Sequence, residues 1–75
     1  MPLGQAPLVK FEDEVRLGIK DEEEAIDFYE GLIERTYYIT PESKGRTIRK
    51  FLEQILEQEK DHLGKLQGTL TALRL

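Results

Sequence analysis

A single internal proline separates two long segments in which apolar residues recur at alternating steps of three and four. This spacing is that of one face of an α-helix, so it restricts the chain to two amphipathic helices with a break between them. The pattern predicts helix 1 at about 11–38 and helix 2 at about 41–73, with Thr40 as N-cap and Pro41 as the first helical residue. The first face comprises Val15, Ile19, Glu22, Ile26, Tyr29, Ile33 and Thr36. The second face comprises Ile48, Leu52, Ile55, Glu59, His62, Leu66, Leu70 and Leu73.

The short connection predicts that the two helices lie antiparallel as an αα-hairpin. No segment carries a strand signal, so the expected fold class is all-α. Residues 1–10 hold two of the three prolines and are expected to form an irregular arm, leaving 11–75 as the helical hairpin domain.

One hairpin cannot cover its own apolar surface, because two helices of about 40 Å bury only one flank of each other. With 75 residues and no Cys, neither a disulfide nor a thiolate metal site can supply stability. Self-association and a metal site without cysteine remain as stabilising devices. We expect a two-fold dimer of hairpins that forms a four-helix bundle, or a larger even-numbered homo-oligomer.

The charge balance bears on possible partners and location. Fifteen acidic and 11 basic residues give a net charge of -4, which is the wrong sign for a nucleic-acid binder. No apolar run approaches the roughly 20 residues that cross a bilayer, and no basic segment followed by an apolar one stands at the N-terminus. The expected location is cytoplasmic, with no nucleic-acid or membrane partner.

Three ionisable residues lie on the otherwise apolar helix faces. Glu22 is on the first face, and Glu59 and His62 are on the second. A carboxylate on a core face requires a cation, a metal ion or less burial than the pattern suggests. Since Glu59 and His62 are three residues apart, their side chains can converge on one ion. Tyr29 follows Glu22 by about two turns, which places its hydroxyl within reach of a site carboxylate.

The two helix motifs resemble those of the ferritin-like di-iron family, in particular bacterioferritins and rubrerythrins. The first segment carries Glu-x-x-Ala-x-x-x-Tyr at Glu22, Ala25 and Tyr29, and the second carries Glu-x-x-His at Glu59 and His62. Family members have four helices and two copies of the ligand set, whereas this chain has two helices and one copy. It therefore looks like half a ferritin, similar to the encapsulated ferritin-like proteins whose two-helix chains pair to build the site.

The resemblance implies a ferroxidase that oxidises Fe(II) with dioxygen or peroxide for iron storage or detoxification. It implies two irons per subunit pair, with Glu22, Glu59 and His62 as metal ligands and Tyr29 assisting catalysis. Glu59 would bridge the irons, and Glu22 and His62 would cap each one. An encapsulin shell is the compartment that the resemblance implies. The C-terminal Gly68–Leu75 either finishes helix 2 or is a cargo tail for that shell.

Other interpretations of the same residues remain open. Glu22 can be a solvated acid, Tyr29 a packing aromatic, and His62 an interface residue hydrogen-bonded to Glu59 without a metal. Mn or Zn also suits carboxylate and imidazole ligands. If these residues bind no metal, the chain is a non-enzymatic module for oligomerisation or partner docking. A peroxide-scavenging rubrerythrin relative is less favoured, because no Cys is present for an electron-transfer iron site.

Overall fold

The computed structural model describes residues 6–75 and contains two α-helices, α1 (Ala6–Ile39) and α2 (Glu42–Leu73). The two helices pack against each other, and residues 6–75 contain no strand, so the predicted all-α two-helix fold is confirmed. Helix α2 continues through residues 68–73, where the sequence allowed either a helix end or a tail. Neither helix of this part of the chain has an apolar stretch long enough to cross a membrane.

Helix α1 begins five residues before its expected start. Residues 6–10 of the expected irregular arm are helical, while residues 1–5 lie outside the described part of the chain. Pro7 does not prevent this, because the first backbone N–H groups of a helix have no intrahelical acceptor and the fixed φ of proline suits the first turn.

The turn between the helices differs from the predicted cap. Pro41 is the N-cap of α2, with φ -58° and ψ 150°, and no side chain caps the helix. The prediction that Thr40 caps α2 is therefore wrong. Its hydroxyl instead donates to the Thr36 carbonyl at 2.6 Å, which satisfies one of the last carbonyls of α1. The Gly45 N–H donates to the Pro41 carbonyl at 2.7 Å.

The interface between α1 and α2 buries little apolar surface completely. Among residues 7–75, Val15 and Ile26 are the only buried apolar side chains, and no large side chain is fully enclosed. The molecule measures 60 × 17 × 11 Å, which is a single layer of two helices. A layer this thin has no interior in which a side chain is surrounded on every side.

A flank shared by both helices carries the apolar residues that the interface leaves out. Phe28 and Ile39 on α1 and Ile48 and Phe51 on α2 are all exposed. Near the turn this flank contains a groove of about 340 Å³ between the helices. We call it the turn groove, and it is lined by Leu32, Arg35, Thr36, Ile39, Thr40, Ile48 and Leu52.

A buried arginine lies beside the turn. Arg49 is 7% exposed, donates to the Thr36 hydroxyl at 3.3 Å and approaches the Glu42 carboxylate at 3.5 Å. Its guanidinium also lies 4.0 Å from the centre of the Tyr37 ring. Gly45 makes room for this arrangement, because a Cβ there would lie 2.7 Å from the Thr40 hydroxyl and 2.9 Å from the Arg49 guanidinium.

We therefore expect Gly45→Ala to destabilise the hairpin by about 1–3 kcal/mol, since the added methyl group overlaps two groups that hold the turn. Gly64→Ala is the matched control, because a Cβ at Gly64 meets open space. That substitution should stabilise the helix by up to about 1 kcal/mol through helix propensity. Thermal unfolding followed by circular dichroism measures both effects. The assigned packing would be contradicted if the two substitutions changed the stability by the same amount in the same direction.

Candidate metal centre

Three side chains from the two helices converge near the middle of the hairpin. Glu22 comes from α1, and Glu59 and His62 come from α2. One carboxylate oxygen from each glutamate and one imidazole nitrogen all lie within 4.8 Å of one another. The His62 Nδ1 is 3.9 Å from the Glu22 carboxylate. Within residues 6–75 this is the one such group of three or more potential ligands.

Helix geometry and close packing together position the three residues. Glu59 and His62 share a helix face because they are three residues apart. Glu22 reaches them from the opposite helix, one turn after Gly18. A Cβ at Gly18 would lie 3.3 Å from Leu66, so the absence of a side chain there lets α1 approach α2 beside the site.

The burial of the group is uneven. The Glu22 side chain is 21% exposed, yet its Oε2 atom is buried and has no hydrogen-bond partner. The His62 side chain is 54% exposed, so the group opens onto the surface at the imidazole. A buried carboxylate oxygen without a partner is costly, and a bound cation removes that cost. The donor set of two carboxylates and one imidazole therefore fits a divalent metal ion such as Fe, Mn or Zn.

Glu59 also affects the protonation of Glu22. Protonation of Glu22 allows a hydrogen bond with Glu59 that the two ionised carboxylates cannot make. This bond, then burial and then the negative charge of Glu59 raise the pKa of Glu22 above its usual value. His62 opposes this shift, and Asp21 adds a smaller increase. Glu22 therefore binds a proton more readily than an isolated glutamate does, and a metal ion must compete with that proton.

Tyr29, the fourth predicted site residue, lies on α1 about two turns after Glu22. It is half-buried, and its ring packs edge-on against Phe28 with a centroid distance of 5.3 Å. Among the described contacts its hydroxyl makes no hydrogen bond to Glu22, Glu59 or His62. Its role beside the site stays a prediction.

Comparisons with protein-family models, with curated proteins and with solved structures found no match to this chain. The ferritin-like resemblance therefore rests on the residues of the two motifs alone.

The raised pKa of Glu22 predicts how the metal-free protein responds to pH. The folded state holds this proton more tightly than the unfolded state does, so the stability of the wild type should fall as pH rises through the raised pKa. Glu22→Gln removes the repulsion, and at pH 7 with a chelator its melting temperature should equal or exceed that of the wild type. The advantage should vanish near pH 4.

The control for this experiment is Glu23→Gln, which changes an exposed neighbour that is not part of the site. It should leave the pH profile of the wild type unchanged. A destabilising effect of Glu22→Gln at pH 7 in the presence of chelator would contradict the proposed repulsion between the two glutamates.

Proposed function

We propose that this chain is a ferritin-like ferroxidase subunit, and that two copies bind two irons through Glu22, Glu59 and His62. The observation that carries the proposal is the convergence of these three groups from two helices, with Glu22 Oε2 buried and unpartnered. Surface acids and histidines are common, but a carboxylate oxygen buried without a partner beside two further ligands is not expected of a solvated acid.

The position of the group at the edge of the hairpin supports completion by a second copy. Ile48, Ile55 and His62 are seven residues apart in turn, so the exposed imidazole lies on the same face of α2 as the exposed apolar flank. A two-fold pairing on this flank would cover the apolar residues and bring two sets of three ligands together. Six ligands from four helices is the arrangement of di-iron carboxylate bundles.

In this proposal Fe(II) is the substrate, and each ion loses one electron to dioxygen or peroxide. The carboxylates bind Fe(III) better than Fe(II) because they are hard anionic ligands, which favours oxidation. By the family resemblance, Glu59 would bridge the two irons, and Glu22 and His62 would complete the ligand set of each ion. Storage of the product as a mineral needs a closed compartment, for which the family resemblance implies an encapsulin shell.

The proposal predicts how many irons bind to each chain. Protein loaded with Fe(II) without oxygen should bind close to one iron per chain, and its mass should be that of a dimer or a larger even-numbered oligomer. A chelator should shift the mass downward, because a metal that binds only the assembled state stabilises assembly by mass action. Anomalous scattering should show paired peaks about 3.5–4 Å apart. A metal-bearing monomer would contradict the proposal.

The second prediction concerns turnover. Glu22→Ala, Glu59→Ala and His62→Ala should each reduce the initial rate of Fe(II) oxidation by about 100-fold or more, because each removes two ligands from a shared site. Glu24→Ala and Asp61→Ala are matched controls on the same two helices. Both alter exposed acids near the site, and their rates should stay within about threefold of the wild type.

Tyr29→Phe separates a role of the hydroxyl from a role of the ring. The substitution deletes one oxygen and keeps the packing against Phe28, so metal binding should be unchanged while oxidation slows. Helical content and oligomer mass are checked for every variant. If folded ligand variants bind metal and oxidise Fe(II) at the wild-type rate, the non-enzymatic hairpin is the better interpretation.

A further inference from the structure

Gly18 lies where α1 comes unusually close to a side chain of α2. Of the five glycines in residues 6–75, it is the one at which an added Cβ would meet the opposite helix. That Cβ would lie 3.3 Å from Leu66 Cδ1 and 3.9 Å from Leu66 Cδ2. The shorter distance is below the optimum of about 3.5–4.0 Å for two carbon atoms. A side chain at residue 18 would therefore displace Leu66 or push the two helices apart.

This contact is one helical turn from the metal centre on both helices. Gly18 comes four residues before Glu22 on α1, and Leu66 comes four residues after His62 on α2. Residues four apart share a helix face, so in antiparallel helices the Gly18–Leu66 contact lies about 6 Å along the hairpin from the Glu22–His62 contact. The distance between the helices at one contact therefore constrains the distance at the other.

The backbone gives no separate reason for a glycine at this position. Gly18 lies 12 residues after the start of α1 and 21 residues before its end, so it belongs to neither cap. No glycine in the described part of the chain has a positive φ. Glycine in a helix interior is less favourable than alanine, because it loses more conformational freedom on folding. The close approach to Leu66 is the physical reason that remains.

The metal centre is sensitive to the distance between the helices. His62 Nδ1 and Glu22 Oε1 are 3.9 Å apart. Bonds of about 2.0–2.2 Å to one ion would place neighbouring ligand atoms roughly 3–3.5 Å apart. Metal binding must therefore draw Glu22 and His62 together, and a wider helix spacing adds to that movement. Ligand positions matter at about the 0.5 Å level, which is comparable to the shift that a Cβ at Gly18 would require.

We propose that Gly18 is a positioning residue of the metal centre, and that its contact with Leu66 sets the helix spacing at which Glu22 reaches His62. The proposal rests on the proposed function, because it requires Glu22, Glu59 and His62 to bind a metal ion. Gly18 has no side chain to offer an ion, so it acts only through the distance between α1 and α2. A substitution that increases this distance should weaken metal binding although all three ligands are intact.

Gly18→Ala tests the contact, and Gly31→Ala is its matched control on the same helix, because a Cβ at Gly31 meets nothing within 4 Å. Both substitutions bring the same gain in helix propensity. Isothermal titration with Zn(II), which has no redox chemistry, measures the affinity of the donor set. Gly18→Ala should raise the Zn(II) dissociation constant about tenfold, and Gly31→Ala should change it less than about twofold. Equal dissociation constants for the two variants would overturn the proposal.

Shortening the opposing side chain should reverse the effect. Leu66→Ala removes both Cδ atoms that a Cβ at residue 18 would approach. On this background Gly18→Ala should change the Zn(II) dissociation constant by less than about threefold, because the two substitutions are coupled through one contact. A tenfold loss on both backgrounds would mean that Gly18 acts independently of Leu66, and would overturn the proposal.

Thermal unfolding separates positioning from a general effect on packing. The melting temperature in chelator reports on the metal-free protein, and the rise on adding Zn(II) reports on the affinity of the folded state for the ion. Gly18→Ala should reduce this rise, whereas Gly31→Ala should preserve it. A lower melting temperature in chelator with an unchanged rise would assign Gly18 a purely structural role and overturn the proposal.

The wild type, titrated with Zn(II) and Fe(II), separates this proposal from the proposed function. Metal binding that Gly18→Ala leaves unchanged would overturn the positioning role and leave the metal centre standing. Metal binding that Gly18→Ala weakens, in a protein that does not oxidise Fe(II), would overturn the ferroxidase and leave the positioning role standing. A wild type that binds neither ion would overturn both.

Discussion

The Glu22 carboxylate, held against Glu59 between the two helices, is the constraint on which the rest of the structure depends. It occupies a position where an apolar side chain would otherwise pack, and one of its oxygens is buried without a partner. A hydrogen bond to Glu59 in the protonated form, burial and the negative charge of Glu59 all raise the pKa of Glu22, so the two ionised carboxylates repel each other in the middle of the hairpin. This position weakens the isolated hairpin and suits it to binding a metal ion.

The shortage of buried apolar surface follows from the arrangement of the two helices in a single layer. With only Val15 and Ile26 buried among the described apolar residues, packing between α1 and α2 contributes less than in a closed bundle. The remaining apolar residues lie on a flank that also contains the exposed edge of His62. A second copy that covered this flank would also complete the ligand set. Metal binding and assembly are therefore expected to stabilise each other.

The turn end of the hairpin is held differently from its middle. Arg49 is buried with contacts to Thr36, Tyr37 and Glu42, so its charge is compensated within the chain. Glu22 instead faces the carboxylate of Glu59, and the His62 imidazole at 3.9 Å opposes only part of that repulsion. The contrast separates two uses of a buried charge. The charge of Arg49 is satisfied by its neighbours and fixes the packing of the turn, while the carboxylate of Glu22 keeps one buried oxygen without a partner.

The sequence by itself determined the two helices, the break at Thr40 and Pro41, and the shared helix face of Glu59 and His62. These follow from helical periodicity, which is a local property, and from the short connection that makes the helices antiparallel. The tertiary structure alone decided how α2 is rotated about its axis. Gly45 and Arg49 face α1, whereas Ile48, at the start of the predicted face, lies on the open flank. Periodicity identifies a broad apolar arc, but the side of that arc that meets the other helix depends on close contacts such as those of Gly18 and Gly45, which link residues distant in sequence.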